Sequence, residues 1–311
     1  MAIRIQRIVR AFAAALVVAL LPALAGCAAG APSKAADAEN GRVRIVASTS
    51  VYGDIAATVG GRHVSVQSII DNPDRDPHEY QADGQNELAV SKAAVVIENG
   101  GGYDDFMGDL LAAAHNDGVT VLNVAALSGR NQHPAHGEFN EHLWYDVGTM
   151  RRLTHRLAAV LAKAQPASAA AFTSNADSLD AHLATLQRRE ATLNARYAGT
   201  PVAITEPVPL YVLDSIGLVN KTPTAFSTAV EEDRDVAPTV LRATLELYRS
   251  HRVALLAYNP QTGGPQTETV LSAARDAGIP TVPFPEVMPP GSHYVPWITH
   301  TLDALTKGLK R

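Results

Sequence analysis

Four side chains in this sequence are of types that bind divalent metal ions, and each follows a predicted strand. They are two histidines and two glutamates: His78 in the run DPHEY, His142 in EHLW, Glu206 in TEP and Glu286 in PEV. Two neutral imidazoles and two carboxylates carry a charge of about −2, which one divalent cation cancels. The residue types therefore indicate a metal site. Their distribution over both halves of the chain favours capture and release of an ion over a purely structural metal.

The elements that must position these side chains alternate between short β-branched runs and helical stretches. The first half predicts strands at 43–47, 64–70, 94–98 and 119–124, with helices at 51–59, 86–91 and 103–114. The second half predicts strands at 202–205, 253–258 and 281–284, with helices at 209–216, 238–250, 267–277 and 294–309. Strands that alternate with helices predict βαβ units, and hence an α/β fold of two parallel-sheet domains.

A long helical region with a break near Pro166 separates the two halves. After the break, apolar residues recur every seven positions: Phe172, Leu179, Leu186 and Leu193. This stripe would also fit a coiled coil, but it spans barely three heptads and Glu190 interrupts the second seam. We therefore predict one long backbone helix whose apolar face packs along both domains. The predicted limits are 42–165 for the first domain, 166–198 for the linking helix and 199–311 for the second domain.

The placement of the four candidates relative to the strands predicts that they meet. In open α/β sheets, ligands bind outside the carboxyl ends of the strands. If the two sheets point these ends at each other, all four side chains converge on one interdomain cleft. Asn259 follows another strand at the same edge of the sheet. It could hydrogen-bond a metal ligand from the second shell, or it could only shape a turn.

The N-terminus has the pattern of a targeting segment. Arg4, Arg7 and Arg10 precede an apolar stretch at 11–21, which is too short to span a bilayer comfortably, and the run LAGC ends at Cys27. This pattern resembles a bacterial lipoprotein signal, so we predict a signal peptide at 1–26, lipidation of Cys27 and a tether at 27–41. An ordinary secretory signal with a buried free cysteine is the alternative.

Composition excludes some classes of function. The net charge of −5 gives no basic footprint for nucleic acid. Cys27 is the sole cysteine, so the monomer has no internal disulfide and must rely on its hydrophobic core. Together with the lipoprotein-like N-terminus, these features predict a protein held on the extracytoplasmic face of the cell membrane by its lipid. We predict that it is a monomer.

The motifs around the first three candidates resemble those of a known family. The runs DPHEY and EHLWYD and the TE turn, arranged around a central helix, are similar to the cluster A-I solute-binding proteins. Members of that family are extracytoplasmic lipoproteins that deliver zinc or manganese to ABC import permeases. The resemblance covers about Arg42 to Leu309, and it implies that His78, His142, Glu206 and Glu286 are the metal ligands. The fourth ligand of the family is usually Asp, so Glu286 is a longer substitute.

Two features bear on which metal the resemblance implies. The third ligand is often His in zinc-binding members and Glu in manganese-binding ones, and Glu206 stands there. Zinc members often carry a long His-rich loop before the second ligand, of which this chain has a short version with His133 and His136. These two histidines could collect metal at the surface or have no role. We predict Zn²⁺ as the ion and keep Mn²⁺ as the alternative, because Zn²⁺ binds such ligand sets more tightly.

Two other functions compete with transport. A zinc hydrolase would need an open coordination position and a general base, and the sequence has no H-E-x-x-H motif, since His78-Glu79 is followed by Tyr80-Gln81-Ala82. An adhesin or scaffold could hold a structural metal, but such sites are more often close-spaced Cys and His pairs within one unit. The sequence therefore predicts a binding protein and not an enzyme.

Overall fold

The computed structural model describes residues 41–73, 75–135 and 137–310. The predicted signal peptide, the lipidation site Cys27, nearly all of the tether and His136 lie outside the described residues. The described helices lack the combination of length and apolar character that a membrane span requires.

The first lobe contains a four-stranded parallel sheet in the order β2-β1-β3-β4. Its strands are β1 (Val43–Thr49), β2 (Val64–Ile70), β3 (Val95–Glu98) and β4 (Thr120–Asn123). Its helices are α1 (Ser50–Gly60), α2 (Gly84–Ser91), α3 (Phe106–Ala114), α4 (Val124–Ser128) and α5 (Val147–Ala164). The central strand β1 is buried along almost its whole length, as expected for a parallel strand with helices on both faces.

The second lobe contains another four-stranded parallel sheet, in the order β6-β5-β7-β8. Its strands are β5 (Pro201–Ile204), β6 (Val219–Asn220), β7 (Leu256–Tyr258) and β8 (Thr281–Pro283). Its helices are α7 (Leu210–Ile216), α8 (Thr224–Glu231), α9 (Pro238–Arg249), α10 (Pro265–Asp276) and α11 (Tyr294–Leu309), numbered after the helix α6 (Ala169–Tyr197) that precedes them. The predicted fold of two parallel-sheet α/β units is confirmed, although the sequence analysis missed β6 and α8.

Between the lobes, α6 (Ala169–Tyr197) follows a short 3₁₀ turn at Pro166–Ser168. This helix packs against α1 and α5 of the first lobe and against α7 and α11 of the second. Its buried face carries the predicted stripe of Phe172, Leu179, Leu186 and Leu193, and the same face also buries Ala176, Leu183 and Glu190. The prediction of one long helix along both lobes is confirmed, while the exact domain limits stay predictions.

One continuous apolar core joins the two lobes. The ring of Tyr145 packs on Phe284 and Trp297 of the second lobe, at centroid distances of 5.4 and 5.3 Å. The hydroxyl group of Tyr294 in α11 donates to the carbonyl oxygen of Trp144 at 2.6 Å. Because buried aromatic pairs and their hydrogen bonds are costly to separate, this core fixes how the carboxyl ends of the two sheets face each other.

Candidate metal site

The four predicted ligands lie where loops from the two lobes meet. His78 lies in the loop after β2, and His142 directly precedes the 3₁₀ turn Leu143–Tyr145. Glu206 and Glu286 come just after β5 and β8. His78 Nε2 lies 3.7 Å from Glu286 Oε1, so the first and last of these ligands already join the two lobes.

His142 is held in one orientation by Asn140. The Nδ1 atom of His142 lies 2.7 Å from Asn140 Oδ1, which also accepts the backbone N–H of His142 at 3.1 Å. The amide nitrogen of Asn140 donates to the carbonyl oxygen of Pro207, so the amide oxygen is the atom that faces the imidazole. Nδ1 of His142 therefore carries the proton, and Nε2 carries the free lone pair that a metal needs.

The Nε2 atom of His142 is buried and has no hydrogen-bond partner within the described residues. Burial lowers the pKa of His142 well below its usual value, and the nearby His78 lowers it further. The imidazole is therefore neutral at physiological pH, which is the form that binds metal ions.

His78 is more accessible, with 31% of its side chain exposed. Its backbone N–H donates to Asp76 Oδ1 at 2.8 Å, which fixes the loop locally. Its ring contacts the ring of Tyr103 edge-on, with the centroids 5.2 Å apart. The side chain therefore faces both the site and the solvent.

Within the described residues, neither of the two second-lobe glutamates, Glu206 and Glu286, pairs with a lysine or an arginine. Burial raises the pKa of Glu206 to about 7, and the nearby Asn259 and Thr262 side chains only partly oppose this shift. Glu206 Oε1 has no hydrogen-bond partner among the described residues. Burial and the charge of Glu206 raise the pKa of Glu286 well above its usual value. Asn259 Nδ2 donates to Glu286 Oε2 at 3.2 Å, while Glu286 Oε1 lacks a hydrogen-bond partner in the described structure.

Two further carboxylates, Glu141 and Glu231, were not predicted as candidate ligands. The ligand atoms of His78, Glu141 and Glu231 lie within 4.8 Å of one another. Glu231 Oε1 also lies 3.3 Å from His142 Nε2. Burial and the charge of Glu206 raise the pKa of Glu231 to about 10, which places this carboxylate in the same electrostatic cluster.

The sequence does contain a signal for the helix that carries Glu231. After Pro223, the apolar residues Phe226, Ala229 and Val230 have the i, i+3, i+4 spacing of a short amphipathic helix. Glu141 lies inside a motif that was noted, but it was treated only as the neighbour of His142. Glu231 ends a helix and does not follow a strand, so its position relative to the strands gave no reason to select it.

The remaining candidates have clear positions but untested roles. Asn259 is buried, and its contacts with Thr262 and Glu286 are those expected of a residue that positions a metal ligand. His133 is exposed, and its backbone N–H donates to Asn131 Oδ1. A metal-collecting role for His133 therefore stays a prediction. Asp146 is the N-cap of α5 and accepts the N–H groups of Gly148 and Thr149.

Electrostatically, the cluster is a site for a cation. In the described residues, the basic side chains within 4.0 Å of Glu141, Glu231 and Glu286 are histidines, with no lysine or arginine among them. Several carboxylates close together in a buried site repel one another, and their unpartnered oxygens cost free energy. A divalent ion among them would remove both penalties.

Two parallel-sheet lobes along a long helix, with imidazole and carboxylate groups facing one another between them, define a metal-binding solute-binding protein. The chain belongs to the family described as "Zinc-uptake complex component A periplasmic", which matches residues 45–308. Members of this family are non-catalytic components of metal uptake, in agreement with the prediction that the protein is not an enzyme. The predicted family resemblance is thereby confirmed.

Relatives with established names bind different metals. The manganese-binding lipoprotein MntA of Bacillus subtilis (strain 168) is 31% identical over 157 residues, and the match spans half of each chain. The manganese ABC transporter substrate-binding lipoprotein scaA of Streptococcus gordonii is 22% identical over 94% of this chain and 98% of its own. The iron ABC transporter substrate-binding lipoprotein MtsA of Streptococcus pyogenes serotype M1 is 20% identical over 88% and 91%.

Solved structures agree on the fold. The periplasmic zinc-binding protein TroA from Treponema pallidum superposes with a TM-score of 0.69 at 18% identity, covering 87% of this chain and all of its own. The solute-binding protein FpvC from Pseudomonas aeruginosa, in complex with Mn²⁺, gives a TM-score of 0.70 at 20% identity, covering 86% and 98%. At these identities the likeness establishes the two-lobed fold, and the choice of metal has to be argued from the site.

Proposed function

We propose that the protein captures one divalent metal ion, Zn²⁺, between its lobes and delivers it to an ABC import permease. The proposed ligands are His78, His142, Glu206 and Glu286, and Asn259 orients Glu286. The chain would act from the extracytoplasmic face of the membrane, anchored through a lipid on Cys27, as a monomer. The permease and the anchor are proposed from the family, from the names of the relatives and from the lipoprotein-like N-terminus.

One observation carries this proposal. Within the described residues, His142 Nε2, Glu206 Oε1 and Glu286 Oε1 are buried atoms without hydrogen-bond partners. Glu286 lies close enough to Glu206 for their charges to interact, and His78, which contacts Glu286, also lies near His142. An unpartnered buried polar group costs about 1–3 kcal/mol, so a fold rarely retains several together unless something else binds them. A metal ion would satisfy all three at once.

Zn²⁺ is preferred as cargo on two grounds. Two imidazole nitrogens and two carboxylate oxygens can form the tetrahedral set that Zn²⁺ adopts in proteins. Zn²⁺ also lies above Mn²⁺ in intrinsic affinity for such ligands.

Mn²⁺ is the second candidate, and a specific observation favours it. Glu141 and Glu231 add two carboxylates beside the four proposed ligands. Mn²⁺ accepts more ligands than Zn²⁺ and favours oxygen, so an oxygen-rich site could suit it. MntA and scaA, which are similar to this chain, are named for manganese.

The first test is calorimetric titration of Zn²⁺ and Mn²⁺ into a metal-stripped soluble form that begins at Ala28, with metal content assayed before stripping. We expect tight one-to-one binding of Zn²⁺ that is lost in His78→Ala. His155→Ala is a suitable control, because His155 is an exposed histidine on α5 paired with Asp180. Tighter retention of Mn²⁺ would make manganese the cargo, and no saturable binding of either ion would overturn the proposal.

A second measurement separates transport from a structural metal. A transport site should exchange its ion reversibly with a chelator while the circular dichroism spectrum stays that of the folded protein. Collapse of the fold on chelation would instead support the adhesin or scaffold function, because structural metal sites contribute folding free energy directly.

A further inference from the structure

Glu231 is the cluster member whose position is least explained by the four-ligand site. It is the last residue of α8, and no strand end leads to it. We propose that Glu231 is a further metal ligand, which an ion of high coordination number such as Mn²⁺ uses and which tetrahedral Zn²⁺ does not require. This inference rests on the proposed function of the cleft.

The distances around Glu231 are those of neighbouring ligands on one ion. Its Oε1 atom lies 3.3 Å from His142 Nε2, the buried nitrogen that has no hydrogen-bond partner. Two ligand atoms held about 2.0–2.2 Å from the same ion lie roughly 3 Å apart when they are adjacent. The ligand atoms of His78 and Glu141 also lie within 4.8 Å of Glu231. The Oε2 atom of Glu231 is buried and unpartnered in the described structure, which leaves it free for a second bond.

The helix that carries Glu231 holds it firmly in place. Phe226 and Val230 are buried in the core of the second lobe. The end of α8 is closed by Asp233 in the left-handed conformation and by the N–H of Arg234, which donates to the carbonyl oxygen of Ala229 at 2.8 Å. The carboxylate therefore projects into the cleft from a packed element, as a metal ligand should.

This position is electrostatically unfavourable without a cation. The C-terminal end of a helix carries a partial negative charge, which disfavours a carboxylate there. Glu206, Glu141 and Glu286 add further negative charge nearby. A cation in the cleft would attract the Glu231 carboxylate and so offset both the helix-end charge and the neighbouring carboxylates. The position is therefore the one expected in a protein that binds a cation there.

The role assigned to Glu231 follows from coordination number. His78, His142, Glu206 and Glu286 already complete a tetrahedral set for Zn²⁺. Mn²⁺ favours six-coordinate, oxygen-rich surroundings, so an additional carboxylate oxygen would stabilise it more than it would stabilise Zn²⁺. Glu231 would then set how closely the affinity for Mn²⁺ approaches the affinity for Zn²⁺.

The test compares Glu231→Gln with Glu232→Gln in the same protein. Both changes replace a glutamate by its uncharged isostere, but Glu232 is exposed and paired with Arg234 outside the cluster. We expect Glu231→Gln to weaken Mn²⁺ binding by at least about tenfold and Zn²⁺ binding by no more than about threefold, whereas Glu232→Gln should change neither. A crystal structure of the Mn²⁺-loaded protein should place a Glu231 oxygen about 2.2 Å from the ion.

The outcomes are distinguishable from failure of the proposed function. If the unmodified protein binds neither ion, the proposed function itself is wrong. If it binds metal but Glu231→Gln leaves Mn²⁺ affinity unchanged, or weakens both ions equally, the inference about Glu231 is overturned while the function stands. If Glu231→Gln does not fold, Glu231→Asp can be used instead. It keeps the carboxylate, but its side chain is one methylene shorter and cannot reach the ion, so it should show the same selective loss of Mn²⁺ affinity.

Discussion

The two histidines of the site, His78 and His142, share a proposed task but have opposite surroundings. The side chain of His142 is 1% exposed, and its tautomer is fixed by Asn140. The side chain of His78 is 31% exposed and lies in a loop secured by the bond to Asp76. A buried, pre-oriented imidazole suits a permanent anchor for the ion, whereas an exposed one suits the route by which the ion enters and leaves.

The largest effect is expected from removing the anchor. His142→Ala should weaken binding of the cargo metal by more than about 100-fold, the upper end of what loss of a second-shell partner costs. It should also lower the free energy of unfolding by about 1–3 kcal/mol, because it empties a buried position and leaves Asn140 Oδ1 without its imidazole partner. Calorimetry and chemical denaturation measure the two quantities separately. An unchanged stability would show that His142 is less constrained than its burial indicates.

Removing the exposed histidine, His78, should weaken metal binding but leave the free energy of unfolding unchanged. His78→Ala should likewise abolish tight binding, because it deletes a proposed ligand. Its free energy of unfolding should stay within about 0.5 kcal/mol of the unmodified protein, as is usual for an exposed residue outside the core. Equal loss of stability in His78→Ala and His142→Ala would remove the distinction between anchor and entry ligand.

The orientation of the anchor can be tested without touching a ligand. Asn140→Ala should weaken metal binding by about 10–100-fold, because the second-shell partner fixes which nitrogen of His142 carries the proton. Asn131→Ala is the matched control, since Asn131 Oδ1 accepts the N–H of His133 in the same i+2 arrangement but away from the cluster. Nitrogen chemical shifts should show a mixture of His142 tautomers in Asn140→Ala alone. Equal affinities of the two variants would contradict the assigned role.

The smallest effect concerns pH and arises from the carboxylates, since His142 is neutral throughout. Burial raises the pKa of both Glu141 and Glu206 to about 7, above the usual value of 4.5. Their contribution to stability is therefore complete below pH of about 4.5 and is lost as the pH rises through about 7. We expect each of these two carboxylates to make metal-free protein about 1 kcal/mol less stable at pH 8 than at pH 6.

Bound metal should remove this dependence, because the ionised carboxylates then have a cation beside them. Thermal unfolding across pH 5–8.5, with chelator and with metal, measures both curves. Metal-free stability that rises with pH over this window would contradict the raised pKa values.

The two histidines also show which features of the site the sequence can suggest. Both were selected from motifs, and the same reasoning placed Glu206 and Glu286 at strand ends. That argument works because parallel strands present their carboxyl ends at one edge, so order along the chain translates into position. It carries no information about burial, and so it could not tell His78 from His142.

Glu231 shows what could not be predicted from the sequence. The sequence analysis passed over the eight-residue helix α8 and the two-residue strand β6, which are short and weakly patterned. Because Glu231 enters the cleft from a helix end, its approach to His142 depends on how α8 packs in the second lobe. The hydrogen bond between Asn140 and His142 joins residues close in sequence, yet how strongly it fixes the imidazole also depends on the burial of both groups.

By itself, the sequence determined the alternation of strands and helices, one long helix predicted at 166–198, and the placement of Glu206 and Glu286 directly after strands, because these follow from local periodicity and from the geometry of parallel sheets. Tertiary structure alone decided that the two sheets face each other, that His142 is buried while His78 is not, and that Glu141 and Glu231 join the cluster. The reason is physical: periodicity is encoded over a few neighbouring residues, whereas a metal site depends on distances of a few ångströms between segments far apart in the chain.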